Sequence, residues 1–160
     1  MEERVTNEPK SLSVFEYLEA DHRRLDGLME EFGRALEDGD TARAGDRFAV
    51  FRRGLMRHIK MEEGLLFPAF EMATGLRREN GPTGVMRHEH AGIILAMGAI
   101  ADTLAGEPPD LAKVRRARAA LCDLLAPHGL KEERVIYPMV DGALASDRLA
   151  GLVATMQRFP

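Results

Sequence analysis

With 160 residues, 45% of them hydrophobic and 30% charged, the chain is long enough to bury one core without disulfides and too apolar to be disordered. A formal net charge of -4 and a pI near 5.8 give nucleic-acid phosphates and anionic lipids no general attraction, and no apolar run approaches the roughly 18 residues of a membrane span. The single cysteine, Cys122, excludes an internal disulfide and any Cys-rich zinc or iron–sulfur site within one chain; it is expected to be a small buried thiol.

The opening Met1 to Lys10 is polar and lacks the apolar stretch of a secretory signal. Residues 1–10 are therefore expected to be a flexible segment, residues 11–160 a single domain, and the compartment the cytoplasm. Ser13 and Glu16 have the form of a capping box, after which Phe15, Leu18, Leu25, Met29, Phe32 and Leu36 mark the buried stripe of a first helix with His22 on it. Asp38-Gly39-Asp40 ends that helix, and Asp40 can cap a second. The second stripe runs Phe48, Phe51, Leu55, His58, Glu62, Leu65, so two polar residues interrupt an apolar seam. Thr74 to Pro82 reads as a loop.

A third helix starts near Pro82-Thr83 and carries Met86, His90, Ile93, Met97, Ile100 and Leu104 on one face. Gly106 to Asp110 breaks it, and Asp110 can cap a fourth helix whose stripe is Val114, Leu121, Leu125, His128, Glu132, Val135, Met139. Pro127, directly before His128, removes a backbone hydrogen bond and is expected to kink or split this helix. Ser146 to Phe159 forms a short fifth helix able to close one end with Leu149, Leu152, Val153 and Met156. The fold class is all-α: an up-down-up-down four-helix bundle with a pseudo-twofold repeat and a short C-terminal helix.

The repeat carries the chemistry. His58-Ile59-Lys60-Met61-Glu62-Glu63 returns 70 positions later as His128-Gly129-Leu130-Lys131-Glu132-Glu133, and the copies run on to Phe67-Pro68 and Tyr137-Pro138. Asp21-His22 and Glu89-His90 precede the two copies. Residues four apart on a helix project side by side, so His58 with Glu62, and His128 with Glu132, share a face. An unpaired carboxylate in an apolar seam is costly, and a divalent cation is one of the few partners that justify two. Imidazole nitrogen with carboxylate oxygen suits iron, manganese or zinc better than calcium. His22, His58, Glu62, His90, His128 and Glu132 are thus candidate ligands for two metals, each taking two imidazoles and sharing two bridging glutamates.

Four of the five histidines fall on apolar seams in register, which unrelated core histidines would not do. His88, about 200° from His90 on a helix, is read as a surface residue. Glu63 and Glu133, five after each seam histidine, are expected to point well away. Asp21 and Glu89 can hydrogen-bond near the site but read first as a solvated helix face. Asp26, four after His22, can reach the site but reads first as an outer or surface residue. Tyr17 and Tyr137 are candidate radical or proton donors near a metal, although Tyr137, aligned with Phe67, reads first as packing. The methionines read as fillers of gaps in the core.

These motifs resemble the hemerythrin-like family of histidine-and-glutamate (HHE) cation-binding domains. The match rests on His58-x-x-x-Glu62, His128-x-x-x-Glu132, Asp21-His22, Glu89-His90, Leu66-Phe67-Pro68 and Gly81-Pro82-Thr83, over roughly residues 13 to 140. The resemblance implies a non-haem di-iron centre, bridged by carboxylates and an oxo or hydroxo group, that binds dioxygen, nitric oxide or peroxide; zinc or manganese are the substitute metals. It also implies a departure from the invertebrate oxygen carriers, whose third helix offers two histidines four apart. Here Ile94 stands four after His90, one ligand fewer.

The favoured role is binding or sensing of a small molecule. The competing role is an oxidoreductase on peroxide or nitric oxide, including iron–sulfur repair, served by a redox partner protein. A ferritin-like ferroxidase fits less well because its Glu-x-x-His order differs from His-x-x-x-Glu. A phosphotransfer bundle needs an exposed histidine, which the four seam histidines are not.

Overall fold

The structure, a computed structural model, describes residues 12–160; the segment 1–10 lies outside the described residues. Among the described residues there is no strand. Helix α1 (Val14–Glu37) begins at the capping box formed by Ser13 and Glu16, and its Val14 and Phe15 amides donate to the Asp141 carboxylate at 2.9 and 3.1 Å. That contact ties the start of the bundle to its last quarter. Helix α2 (Thr41–Met61) is capped by Asp40, and helix α3 (Phe67–Thr74) ends at Gly75, whose φ of 71° is one that glycine adopts without strain. Helix α4 (Pro82–Leu104) has Pro82 at its first position, where no amide is needed. Helix α5 (Leu111–Lys131) is capped by Asp110, and α6 (Tyr137–Ala143) and α7 (Ser146–Gln157) follow. Helix α1 packs mainly on α2 and α4 on α5, so each half of the repeat is a helical hairpin.

Two segments depart from α-geometry. Glu62–Leu66 and Glu132–Ile136 are π-helical and join α2 to α3 and α5 to α6. A π turn takes in one more residue than an α turn, so it advances the buried stripe by one position. The stripe expected to continue through Val135 and Met139 instead continues through Ile136 and Val140, 3% and 0% exposed, while Val135 and Met139 are 46% and 38% exposed. In the first half Leu66 is buried and Leu65 only partly so. Ile136→Ala should therefore cost about 2–5 kcal/mol in unfolding free energy and Val135→Ala no more than about 0.5 kcal/mol. Equal losses in chemical denaturation would contradict the shifted stripe.

Pro127 does not split its helix: α5 runs through it to Lys131. The carbonyl that loses its partner is that of Asp123. Both Asp123 and Pro127 are exposed, so water can take the place of the missing donor. The change of helix type comes later, at Glu132, and occurs equally in the first half, which has no corresponding proline.

The core is divided in two. Leu25, Phe32, Phe48, Phe51, Met97 and Ile100 belong to one apolar cluster, and Leu18, Met61, Leu66, Phe67, Tyr137 and Met156 to the other. The histidines of α1 and α4 fall between the two clusters along their helices: His22 between Leu18 and Leu25, His90 between Met86 and Ile93. The fold therefore holds a polar layer across its middle, with α7 closing one apolar end through Val153 and Met156.

Candidate metal centre

The polar layer consists of His22, His58, Glu62, His90, His128 and Glu132, and the structure brings all six together. Glu62, His90, His128 and Glu132 form one group and His22, His58 and Glu132 another, the donor atoms of each lying within 4.8 Å of one another. His22 Nε2 is 3.1 Å from His58 Nε2. Glu62 places Oε1 3.5 Å from His58 Nε2 and Oε2 3.2 Å from His90 Nε2. Glu132 places Oε1 2.9 Å from His128 Nε2 and Oε2 3.2 Å from His22 Nε2. Each carboxylate thus spans the two histidine pairs with one oxygen toward each.

The donor set fits a divalent cation. Glu62 Oε2, His90 Nε2 and Glu132 Oε1 are buried without a hydrogen-bond partner, although a charge of opposite sign lies close by. Buried polar atoms normally find partners, and several that converge without one require a shared positive centre. Protons supply it when no metal does. Burial opposes the imidazolium form, but Glu62 and the Asp21 hydrogen bond outweigh it and raise His58 to about 10. His90 rises to about 10 against the same burial, through Glu132 and Glu62. His22 and His128 are also raised, chiefly by Glu132. Glu132 is held well below its usual value, with burial overcome by His128, His22 and His90; Glu62 is lowered mainly by His58 against burial and Glu132.

The outer atoms of the histidines are held as firmly as the inner ones. His22 Nδ1 lies 2.7 Å from Glu133 Oε1, His58 Nδ1 2.9 Å from Asp21 Oδ2, His90 Nδ1 2.9 Å from Glu63 Oε1 and His128 Nδ1 2.8 Å from Glu89 Oε2. Every Nδ1–H therefore donates to a carboxylate, which fixes the tautomer and turns Nε2 inward. Asp21 is pulled down to about 2, burial notwithstanding, by His58 and Arg24, and Glu89 is lowered by Lys131 and His128 against its own burial. Glu63 and Glu133 do not point away, as α-helical spacing implies. They lie in the π turns, whose smaller angular step keeps two consecutive glutamates on the inward half of the helix. Asp21 and Glu89 likewise face neighbouring histidines rather than only solvent. The signal for all four lay in the repeat itself, which duplicates Glu-Glu after the ligand histidines and an acid before the lone ones.

Glu63→Ala should lower metal affinity by about 10–100-fold while leaving the two-ion stoichiometry attainable at high metal concentration. Competition with a chelator measures this, and an unchanged affinity would show that the Glu63–His90 contact is idle.

Tyr137 packs as expected but also reaches the layer: its hydroxyl donates to Glu62 Oε1 at 2.7 Å. Burial first, then the Glu62 and Glu132 carboxylates, push its ionisation well above the usual tyrosine value, and a bound cation would reverse that balance. His88 is exposed, as read from its helical phase, and Asp26 sits at a cavity rim. Ile94 is 38% exposed; its neighbour Ile93 faces the interior.

A cavity of about 350 Å³ opens onto the layer between α1 and α5. His22, His58, His128 and Glu132 form its polar floor and Leu25, Met29 and Phe51 its apolar walls. Cys122 lines it and is half-buried rather than enclosed in the core, its thiol pushed up by burial.

Fold and layer together define a helical-bundle protein with a buried histidine–glutamate cluster able to hold metal. Residues 13–140 match the family model described as Hemerythrin HHE cation binding domain, and the chain belongs to that family. No curated protein and no solved structure matched the chain.

Proposed function

We propose that His22, His58, Glu62, His90, His128 and Glu132 hold two iron ions, with Glu62 and Glu132 bridging them, and that the protein binds or senses dioxygen, nitric oxide or peroxide there. The observation that carries this reading is the convergence of five buried donor residues and the partly buried His22 from four α-helices and the two π turns, three of whose atoms lack a hydrogen-bond partner, beside a cavity with apolar walls. When bound, the iron pair supplies a redox couple and coordination positions not filled by protein. The chain contributes the rest. Four carboxylates orient the imidazoles, the two apolar clusters exclude bulk water, and the cavity walls favour a small neutral molecule over a charged one. Zinc or manganese would fill the same donors without serving dioxygen equally.

Tyr137 favours a second reading, oxidoreductase chemistry on peroxide or nitric oxide, including iron–sulfur repair with a redox partner protein. Its O–H places an exchangeable proton inside the layer, which simple carriage does not require. The setting for either role is the cytoplasm, without nucleic acid or membrane; no helix among the described residues is long and apolar enough to cross a bilayer.

The deciding experiment is the visible spectrum of protein loaded with iron(II) without oxygen, exposed to air and then deoxygenated. A band that comes with air and goes on deoxygenation supports binding or sensing. A band that stays shows oxidised iron and favours the second reading, to be followed by turnover of peroxide and nitric oxide against free iron.

A further inference from the structure

Tyr137 is where the two halves of the chain differ at the polar layer, since its counterpart 70 positions earlier is Phe67. Phe67 stacks on His90 with ring centroids 5.9 Å apart and planes at 11°, and offers a cation no donor atom. Tyr137 lies beside His22 with centroids 5.7 Å apart, at 39°, and its hydroxyl enters the layer.

The position of that oxygen is unusual for a packing residue. Tyr137 Oη is 3.2 Å from His22 Nε2, 3.4 Å from His58 Nε2, 2.7 Å from Glu62 Oε1 and 3.3 Å from Glu132 Oε2. Its single proton can serve only one of these contacts. Around the base, His22 Nε2 is 3.1 Å from His58 Nε2 and 3.2 Å from Glu132 Oε2, and His58 Nε2 is 3.5 Å from Glu62 Oε1. Nitrogen and oxygen donors bound at about 2.1 Å and at right angles lie about 3.0 Å from one another. Tyr137 Oη stands near that separation from all four atoms at once, as an apical donor does over a four-donor base.

We propose that Tyr137 is a fifth protein donor to the metal position formed by His22, His58, Glu62 and Glu132, coordinating as a phenolate. This rests on the two-iron reading above. The phenol O–H bond breaks as the metal–oxygen bond forms, and the proton leaves to solvent, as with other ligands that ionise on binding metal. The tyrosine ring belongs to the apolar cluster of Leu18, Leu66 and Met156, whereas the cavity is walled by Leu25, Met29 and Phe51 of the other cluster. The phenolate therefore occupies the face away from the cavity and leaves the cavity side free. The two metal positions become inequivalent, because the one beside Phe67 has no such donor.

The test is resonance Raman spectroscopy of iron(III)-loaded protein, with metal analysis of the same samples, for wild type, Tyr137→Phe and Tyr17→Phe. Wild type should show tyrosine ring modes enhanced through a visible phenolate-to-iron band. Tyr17→Phe, whose hydroxyl faces Met61 Sδ at 4.0 Å, should keep them. Tyr137→Phe, which only restores the residue of the other half, should lose them while the histidines and glutamates still hold iron. Iron-loaded wild type without these modes, or modes that survive in Tyr137→Phe, would overturn the phenolate assignment and leave the two-iron reading standing. Wild type that takes up no iron would overturn that reading itself. Should Tyr137→Phe fail to fold, wild type and Tyr17→Phe decide: modes present in both assign them to Tyr137, the one remaining tyrosine.

Discussion

Glu132→Ala should empty both metal positions, whereas loss of one histidine should weaken chiefly one. Glu132 belongs to both donor groups and sends one carboxylate oxygen to each histidine pair. Its removal also takes from His22, His90 and His128 a buried carboxylate that helps to raise all three. Breaking a buried ion pair from one side costs about 3–5 kcal/mol, so the metal-free variant should melt roughly 10 °C below metal-free wild type. Metal analysis should find far less than one iron per chain after loading, against two for wild type. Wild-type stoichiometry in Glu132→Ala would remove the bridging role and with it the proposed centre.

The second large effect is on pH dependence, and it should reverse when metal is removed. His58 and His90 are raised from 6.5 to about 10, and His22 and His128 are raised as well. A group with a raised folded-state value binds its proton more tightly folded than unfolded. The stability it contributes is fully present below pH 6.5 and is lost as pH climbs through about 10. The lowered carboxylates act at the other end: Asp21, at about 2, contributes above its ordinary value of 3.8 and ceases to do so as pH falls through about 2. Metal-free protein should therefore be most stable in weak acid, and its melting temperature should fall steadily from pH 6.5 toward 10. Metal must displace the imidazole protons, so affinity should rise over the same range and uptake near neutrality should release protons to the medium. The gap in melting temperature between loaded and metal-free protein should widen with pH. A metal-free melting temperature that is flat or rising across this window would contradict the protonated layer.

Much of the site is legible in the sequence because the residues that end helices and the residues that bind metal are each chemically distinctive. Asp40, Asp110 and Ser13 announce their caps, and the six donors stand out because polar residues recur in register on apolar seams. The π turns are not legible for an equally physical reason. Positions 65 and 66 are both leucine, 135 and 136 are valine and isoleucine, and 139 and 140 are methionine and valine. Either phase thus presents an apolar stripe, and nothing in the pattern marks the inserted residue. The roles of Glu63 and Glu133 follow from that insertion, because one position changes a side chain's direction by about 100° on an α-helix.

Pro127 misleads in the opposite way. A proline inside a helix leaves a carbonyl without its amide partner, and here both residues concerned, Asp123 and Pro127, are exposed. Tyr137 matches the apolar packing that its alignment with Phe67 implies, yet one added oxygen changes what that position can do. The sequence offers Tyr137 as a candidate proton donor near a metal; the distances to His22, His58, Glu62 and Glu132 place its oxygen inside the layer.

The central claim, two irons held by one histidine–glutamate layer, is tested most directly by anomalous diffraction at the iron edge from crystals of iron-loaded protein. The account predicts two peaks per chain, one among Glu62, His90, His128 and Glu132 and one among His22, His58 and Glu132. No peak in the layer, or iron bound only elsewhere on the chain, would contradict it.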